Sequence, residues 1–419
     1  MIALRSLDVN PIFNSKEEFK IIEAKAVSNI ASTWMDLCGR TAEDNVYYTP
    51  NYALAILDAN IPPGDVIFLT AWEDDDLIGL LPVTRQRFAL PILGPCGGAW
   101  RTKYTFGCIP LIDSARREAA TRLLLDGMSS LGRGEWILPT VNAQGPACEA
   151  WIRELDRRGA PWLFMNAFQR ASIAPACAYD EYLRLHIAPK RRREIQRNAR
   201  RLQELGKFAF ESHTEGEGLE RAVSSFLELE AAGWKGRAGT ALACDPASVA
   251  FAREAFASRA GRSSCRADMI TIDGKPVAIG LTVFDGRTGF TVKCCYDEEL
   301  RSFSPGIVLE LEVIRSLLTD KWAKRLDAAT AGSHVVDGLW PDRIEVADLV
   351  FSLAPRHARA RLTALESMLG ARRRLKSAAR SLIARARQAR VKVGKETPRE
   401  GARAKPSEQI PTPRQGARP

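Results

Sequence analysis

The sequence predicts a mixed α/β fold, with helices covering a mixed β-sheet that is built as two tandem halves. Three observations lead there. The chain has 419 residues, longer than one ordinary domain and suited to two domains plus an extension. Two hairpins in distant parts of the chain resemble each other. Around the second, the order of elements is helices, meander, helix, short strand, which gives a mixed sheet under helices and not a doubly wound parallel one.

The first hairpin is "VIFLTAWEDDDLIGLLPVT", residues 66–84, in which two β-rich runs flank an acidic turn. A helix is expected over Ser114–Gly132, with Leu123, Leu124 and Met128 among its apolar positions, and a strand over "EWILPTV", residues 135–141. The second hairpin opens "DMITIDGKPVAIGLTVFDGRTGFTVKCCYD", residues 268–297, a meander punctuated by two Asp-Gly turns. In both hairpins an apolar strand, an acidic turn and a strand with "IG" near its start follow one another, which reads as an internal repeat. Pro189 opens a helix to Leu205 that Gly206 stops. Asp245-Pro246 opens another, N-capped by the carboxylate and closed by Gly261. "RLDAATAG", residues 325–332, is a short strand ending in small residues. The expected division is residues 1–165, 166–354 and a basic extension, 355–419.

Composition narrows the function. Apolar residues make up 46% of the chain, enough for sizeable cores. No apolar run reaches membrane-spanning length, and the start lacks the long apolar core of a secretory signal, so a cytoplasmic location is expected. The nine cysteines form no C-x-x-C pair, and Cys294 and Cys295 point to opposite faces of a strand. The four histidines form neither H-x-x-x-H nor H-E-x-x-H, so no metal site is expected. The net charge of +10 is uneven: residues 355–419 carry +14, leaving the body at −4.

The stretch "KCCYDEELRSFSPGIVLELEVI", residues 293–314, passes from strand to helix through Ser-Pro-Gly. Ser304 is expected to cap the helix with its hydroxyl, and Pro305 suits the first helical position because it has no N–H to leave unpaired. Gly306 permits close approach to the backbone. Free amides from Gly306 onward, a positive dipole end and nearby Arg301 make an anion site suited to a diphosphate. Its alternative is an ordinary helix entry that binds nothing.

Arg301 to Gly306 resembles the R/Q-x-x-G-x-G/A pyrophosphate loop of GNAT acyltransferases, with serine at position 304 where that family has glycine. From about Tyr179 to Asp327 the chain resembles the CelD/BcsL-type acetyltransferases associated with cellulose and exopolysaccharide synthesis. The stretches "PKRRREIQRNARRLQELG", "LELEAAGWKGRAGTAL", "IDGKPVAIGLTVF", "YDEELRSFSPGIVLELEVI" and "LDAAT" carry it. The resemblance implies a GNAT-like fold, often as two tandem halves related to the Fem peptidyl transferases. It also implies acetyl-CoA or another acyl-CoA as donor to an amine or hydroxyl acceptor.

With acyl-CoA as donor, the diphosphate falls to Arg301, Ser304, Pro305, Gly306 and Ile307. A backbone N–H near Cys295–Tyr296 serves the thioester carbonyl. Asp297 or Asp327 is the candidate base and Tyr296 the candidate acid. No tyrosine follows Tyr296, although many GNAT enzymes protonate the thiolate with one after the next strand. Lys235 and Arg237, in the glycine-bearing loop "GWKGRAGTAL", are candidates for phosphate or acceptor contact. A Fem-like aminoacyl or peptidyl transferase, or a non-catalytic GNAT-like binding module, is the competing reading.

The last segment is expected to begin as a basic amphipathic helix, residues 371–393, with Leu375, Leu382, Ala386 and Ala389 along one stripe. Disorder is expected after Lys395. An anionic membrane surface is the expected partner. Nucleic acid is disfavoured, because no Phe, Trp or Tyr for base stacking follows Phe351.

Overall fold

The computed structural model describes residues 15–63, 65–90, 93–257, 265–284, 287–330, 335–354 and 359–371. The first compact unit runs from Met1 to Leu365 and the second from Glu366 to Pro419. Of the second unit only residues 366–371 are described, and they are helical. Beyond Ala371, the expected helix over 371–393 and the tail after it lie outside the described residues.

The strands are β1 (Glu17–Glu23), β2 (Val66–Glu73), β3 (Asp76–Leu90), β4 (Gly94–Ala99), β5 (Leu111–Ile112), β6 (Glu135–Asn142) and β7 (Trp162–Ile173), then β8 (Phe208–His213), β9 (Cys265–Ile272), β10 (Lys275–Phe284), β11 (Thr288–Tyr296), β12 (Arg325–Asp327) and β13 (Asp342–Ser352). The helices are α1 (Ala31–Cys38), α2 (Pro50–Asp58), α3 (Arg117–Ser130), α4 (Pro146–Arg157), α5 (Tyr179–His186), α6 (Pro189–Gln203), α7 (Gly216–Ala232), α8 (Trp234–Arg237), α9 (Pro246–Ala255) and α10 (Pro305–Asp320).

One sheet holds all of these strands in the order β1-β2-β3-β4-β6-β13-β7-β12-β11-β10-β9-β8, with β5 beside β3. The order is a palindrome. Strands β1, β2, β3, β4, β6 and β7 correspond in turn to β8, β9, β10, β11, β12 and β13. Orientation repeats as well: β4 runs parallel to β6, β11 runs parallel to β12, and the other neighbours on the path are antiparallel. The two hairpins that look alike in sequence, β2–β3 and β9–β10, occupy equivalent places. The halves also trade their last strands: β7 pairs with β12 of the second half, and β13 with β6 of the first.

Local chemistry explains several elements. In the β9–β10 turn Asp273 and Gly274 both have positive φ, 51° and 77°, as a two-residue Asp-Gly hairpin turn requires. Asp285 and Gly286, the second such turn, lie outside the described residues. The Asp245 carboxylate accepts from Ala247 N at 3.2 Å, capping α9 as expected. That helix ends at Ala255, and Gly261 is not among the described residues.

At the junction of the halves, β6 carries Pro139, which has no N–H to give the ladder. The registers of β13 slip there, between Ala347 and Leu349 against β6 and between Val346 and Asp348 against β7. Thr140 and Asn166 take left-handed backbone, with φ of 50° and 53°. One carboxylate serves both breaks: Asp348 accepts from Thr140 N at 2.9 Å and from Asn166 Nδ2 at 2.8 Å.

Two cores form. The larger contains Trp34, Phe68, Trp100 and Trp136 together with Phe226 and Phe251 of α7 and α9. The other lies under α5, α6 and α10 and contains Ile195, Leu202, Val308, Leu309, Ile314 and Trp340. In the second half, α7 and α10 therefore cover opposite faces of the sheet.

Candidate active site

The turn between β11 and α10 is built from capping bonds. Asp297 donates its N–H to Val277 O at 2.9 Å, and its carboxylate accepts from Glu299 N at 3.0 Å. A short 3-10 turn over Glu298–Phe303 follows, and Ser304 then takes the left-handed conformation at φ 54°, ψ 52°. Two expectations need correction here. The Ser304 hydroxyl does not cap α10; its backbone turns the side chain away, and Oγ meets Asn198 Nδ2 of α6 at 3.3 Å. The amides after Gly306 are not bare either. Ile307 N and Val308 N both donate to Ser304 O, at 2.9 and 3.1 Å, because the carbonyl before a helix is its first acceptor.

What remains free is narrower. Pro305 has no N–H, and Gly306 N has no hydrogen-bond partner among the described residues. A Cβ on Gly306 would sit 3.4 Å from the Tyr296 ring, so that ring packs in contact with the helix start. Tyr296 is 38% exposed. Arg301 is exposed and forms no ion pair among the described residues. The basic helix α6 is fastened to the same turn, with the Arg201 guanidinium 4.9 Å from the Phe303 ring centre.

Strand β11 forks from β12. Among the described residues they pair only over Thr288–Phe290 and Arg325–Asp327, so from Thr291 to Tyr296 that edge of β11 has no described strand beside it. On its other edge the register against β10 shifts between Leu281 and Thr282, which places Val292 in a bulge. Past the bulge Lys293 and Cys295 face α7, with Cys295 Sγ 3.8 Å from Phe226 O, while Tyr296 faces α10. Burial pushes the Cys295 thiol up, so the side chain is inert.

On the α7 face, Glu230 is fully buried and accepts from Lys235 Nζ and from Leu242 N, both at 2.8 Å. Arg237 is paired with Glu298, which also accepts from Trp234 N at 2.6 Å. Both cations proposed from sequence are thus held by carboxylates, and α8 is latched to the turn after β11.

Asp327 ends β12 at the vertex of the fork. Its carboxylate accepts from Ala329 N at 2.7 Å and lies 3.5 Å from Arg170, whose other N–H groups donate to Thr330 O and Phe106 O. A cavity of about 420 Å³ opens beside it, reached by residues of both halves, among them Glu43, Tyr47, Thr140, Arg170, Phe290 and Asp327. The Tyr47 hydroxyl is buried there with no hydrogen-bond partner among the described residues. Burial pushes the Glu43 carboxyl up to about 7, although Asn142 Nδ2 and Ala147 N donate to it.

Sequence reasoning brought Tyr296, Asp297, Arg301, Ser304, Pro305, Gly306 and Ile307 to one turn. It did not foresee that Asp327 lies away from Asp297, at the other end of the fork, and it missed Glu43, Lys293 and Glu310. Glu310 sits in α10, where burial pushes its carboxyl up to about 7 and Trp340 Nε1 donates to it at 2.7 Å. The available signal was a pair of glutamates, Glu310 and Glu312, inside the apolar run of a buried helix.

Residues 189–334 match the family model described as an acetyltransferase (GNAT) domain. The fold is thus a tandem GNAT-like one, with this domain in the second half. Similar solved structures include the C-terminal domain of a putative lysylphosphatidylglycerol synthetase from Agrobacterium fabrum, at 10% identity and a TM-score of 0.49, covering 80% of this chain and 95% of that one. FemX follows at 9% identity and 0.47, covering 71% and 86%. A tandem GNAT protein from the clavulanic acid biosynthesis pathway stands at 13% and 0.38, covering 81% and 99%. No curated protein matches the chain in sequence.

Proposed function

We propose that the protein is an acyl-CoA-dependent transferase that moves an acyl group, acetyl in the first instance, to an amine or hydroxyl acceptor. The observation that carries this is the coincidence of two openings. The unpaired edge of β11 begins at Asp327 and ends where Gly306 N, Arg301 and the positive end of α10 stand free.

Gly306 N–H and Arg301 hold the diphosphate, and Arg197 and Arg201 of α6 add positive charge beside them. The free edge of β11 receives the pantetheine arm through backbone groups, and its N–H groups near Cys295–Tyr296 polarise the thioester carbonyl. The acceptor occupies the cavity at the vertex. Asp327, held in place by Arg170, takes its proton, and the Tyr296 phenol returns one to the thiolate. The organisation that serves this is two halves, 1–165 and 166–354, with the basic extension 355–419 attached.

The resemblance to exopolysaccharide-associated acetyltransferases supports an acceptor in polysaccharide or envelope metabolism. The extension, at net +14, then meets the inner face of an anionic membrane. A Fem-like transfer from aminoacyl-tRNA is the second reading, favoured by the exposed cations that α6 carries beside the Ser304 turn.

Calorimetry with acetyl-CoA, longer acyl-CoAs and free CoA tests the proposal, on wild type and on Gly306→Glu. The expected result is binding by wild type and loss in the variant, where a carboxylate stands at the diphosphate position. Equal affinity in a folded Gly306→Glu protein removes this turn as the donor site. Binding of aminoacyl-tRNA with none of acyl-CoA moves the assignment to the second reading.

A further inference from the structure

Three lysine amines from separate parts of the chain gather on the α7 face of β11. Lys103 Nζ lies 5.1 Å from the Tyr104 ring centre and Lys293 Nζ 5.6 Å from it, while Lys235 comes from α8. Two of the three are committed. Lys103 donates to Asp245 at 3.0 Å and to Ser248 at 2.9 Å, and Lys235 donates to Glu230 at 2.8 Å. Lys293 has no hydrogen-bond partner among the described residues. Its nearest carboxylate oxygen, on Glu230, is 4.0 Å away and already accepts from Lys235. Its side chain keeps 20% of its exposure.

Position makes this amine significant. Lys293 directly follows the bulge at Val292, on the stretch of β11 whose far edge is unpaired. That stretch is where the acyl-CoA reading lays the thioester, and a role for Lys293 rests on that reading. An amine without a hydrogen bond among the described residues, held only by a long ion pair and one residue from the bulge, stands beside the electrophile.

We propose that Lys293 is a self-acylation site, modified by the acyl-CoA that this protein binds. The step needs no further reagent. The free-base Nζ attacks the thioester carbonyl carbon and forms the C–N bond of an amide. The C–S bond breaks, CoA leaves as a thiolate, and the proton lost from nitrogen goes to that thiolate, so one acetyl-CoA yields one acetyl-lysine and one CoA. Burial first, then the charges of Lys235 and Lys103, lower the pKa of Lys293 against the pull of Glu230, and so raise its free-base fraction. The consequence is a change of charge on the α7 face of β11: Glu230 keeps one cation where it had two within 4.0 Å.

The test incubates the full chain with acetyl-CoA and follows each lysine by peptide mass spectrometry over time. Lys293 is expected to acquire acetyl about tenfold faster or more than Lys103, Lys235 or exposed Lys20, the gain that a held donor gives over collision. Gly306→Glu should abolish that preference, and Lys293→Arg should lose the mark while still titrating acetyl-CoA in the calorimeter. The wild-type rate at Lys293 should rise with pH to a plateau. Acetyl-CoA binding with Lys293 unmodified, or modified no faster than Lys20, overturns the proposal and leaves the acyltransferase reading standing. Absence of any acyl-CoA binding ends both.

Discussion

The Asn198 side chain donates to Ser304 Oγ at 3.3 Å, so the basic helix α6 is tied to a residue whose backbone is left-handed. A serine in that conformation carries strain that glycine would not. Ser304→Gly is therefore expected to raise stability, by up to about 1 kcal/mol after loss of one long hydrogen bond. Ser304→Val, β-branched at positive φ, is expected to lower it. Urea unfolding midpoints of the three proteins check the order. A glycine variant less stable than wild type would mean that the Asn198 contact outweighs the strain.

Asp297 and Asp327 should separate cleanly on substitution. Asn caps turns nearly as well as Asp, so Asp297→Asn is expected to leave stability unchanged within about 0.5 kcal/mol. Asp327→Asn leaves the buried Arg170 charge without its partner and is expected to cost about 3 kcal/mol. On a true acceptor it should also lower turnover on the order of 100-fold, as loss of a general base does. Chemical unfolding and steady-state rates at a temperature where both variants are folded check this. Wild-type turnover in Asp327→Asn would move the base elsewhere.

Glu310 sets a pH dependence of stability. Its folded carboxyl titrates at about 7, well above the ordinary carboxylate range, because burial disfavours the charge. Between the unfolded value and about 7 the folded chain holds a proton that the unfolded chain has lost. Raising pH through that window therefore lowers stability, and the slope vanishes below and above it. Glu310→Gln keeps an acceptor for Trp340 and removes the titration. Its melting temperature should rise relative to wild type between pH 5 and about 7 and stay above it at higher pH. Glu43 titrates in the same window, so part of the slope should persist in the variant. Parallel wild-type and variant profiles would place the Glu310 carboxylate in water.

The basic extension should be dispensable for acyl-CoA binding and needed for membrane attachment. Each Lys or Arg near an anionic surface contributes about 1 kcal/mol before screening. Full-length protein is expected to co-sediment with phosphatidylserine vesicles at low salt and to lose this as salt rises, while a 1–370 variant stays in the supernatant. Equal sedimentation of both proteins would detach the extension from this role.

Local patterns were legible in the sequence. Asp273-Gly274 announces its hairpin because few residues tolerate two positive φ angles in a row. Pro189 and Gly206 bracket α6, and Ser-Pro-Gly marks the start of α10. Pairings between distant residues were not legible. Arg170 meets Asp327, Arg237 meets Glu298, and Thr140 meets Asp348 only once strands or helices far apart in the chain are adjacent. The left-handed Ser304 had a faint signal, since the resembling families carry glycine there. That Lys293 lacks a hydrogen bond among the described residues had none, because it depends on Glu230 being occupied by Lys235.

The traded strands β7 and β13 set an order of events during synthesis. Val346 of β13 pairs with Asn142 of β6, across roughly 200 residues of chain, and no nearer segment among the described residues fills that place. The amino-terminal half can therefore collapse as it leaves the ribosome, but the free edge of β6 stays open until residue 352 has been made. At about 5–20 residues per second that interval lasts roughly ten seconds or more. An unpaired central strand is then a template for another nascent chain, and the swap that joins the halves in one molecule would join two molecules if the second half arrived late.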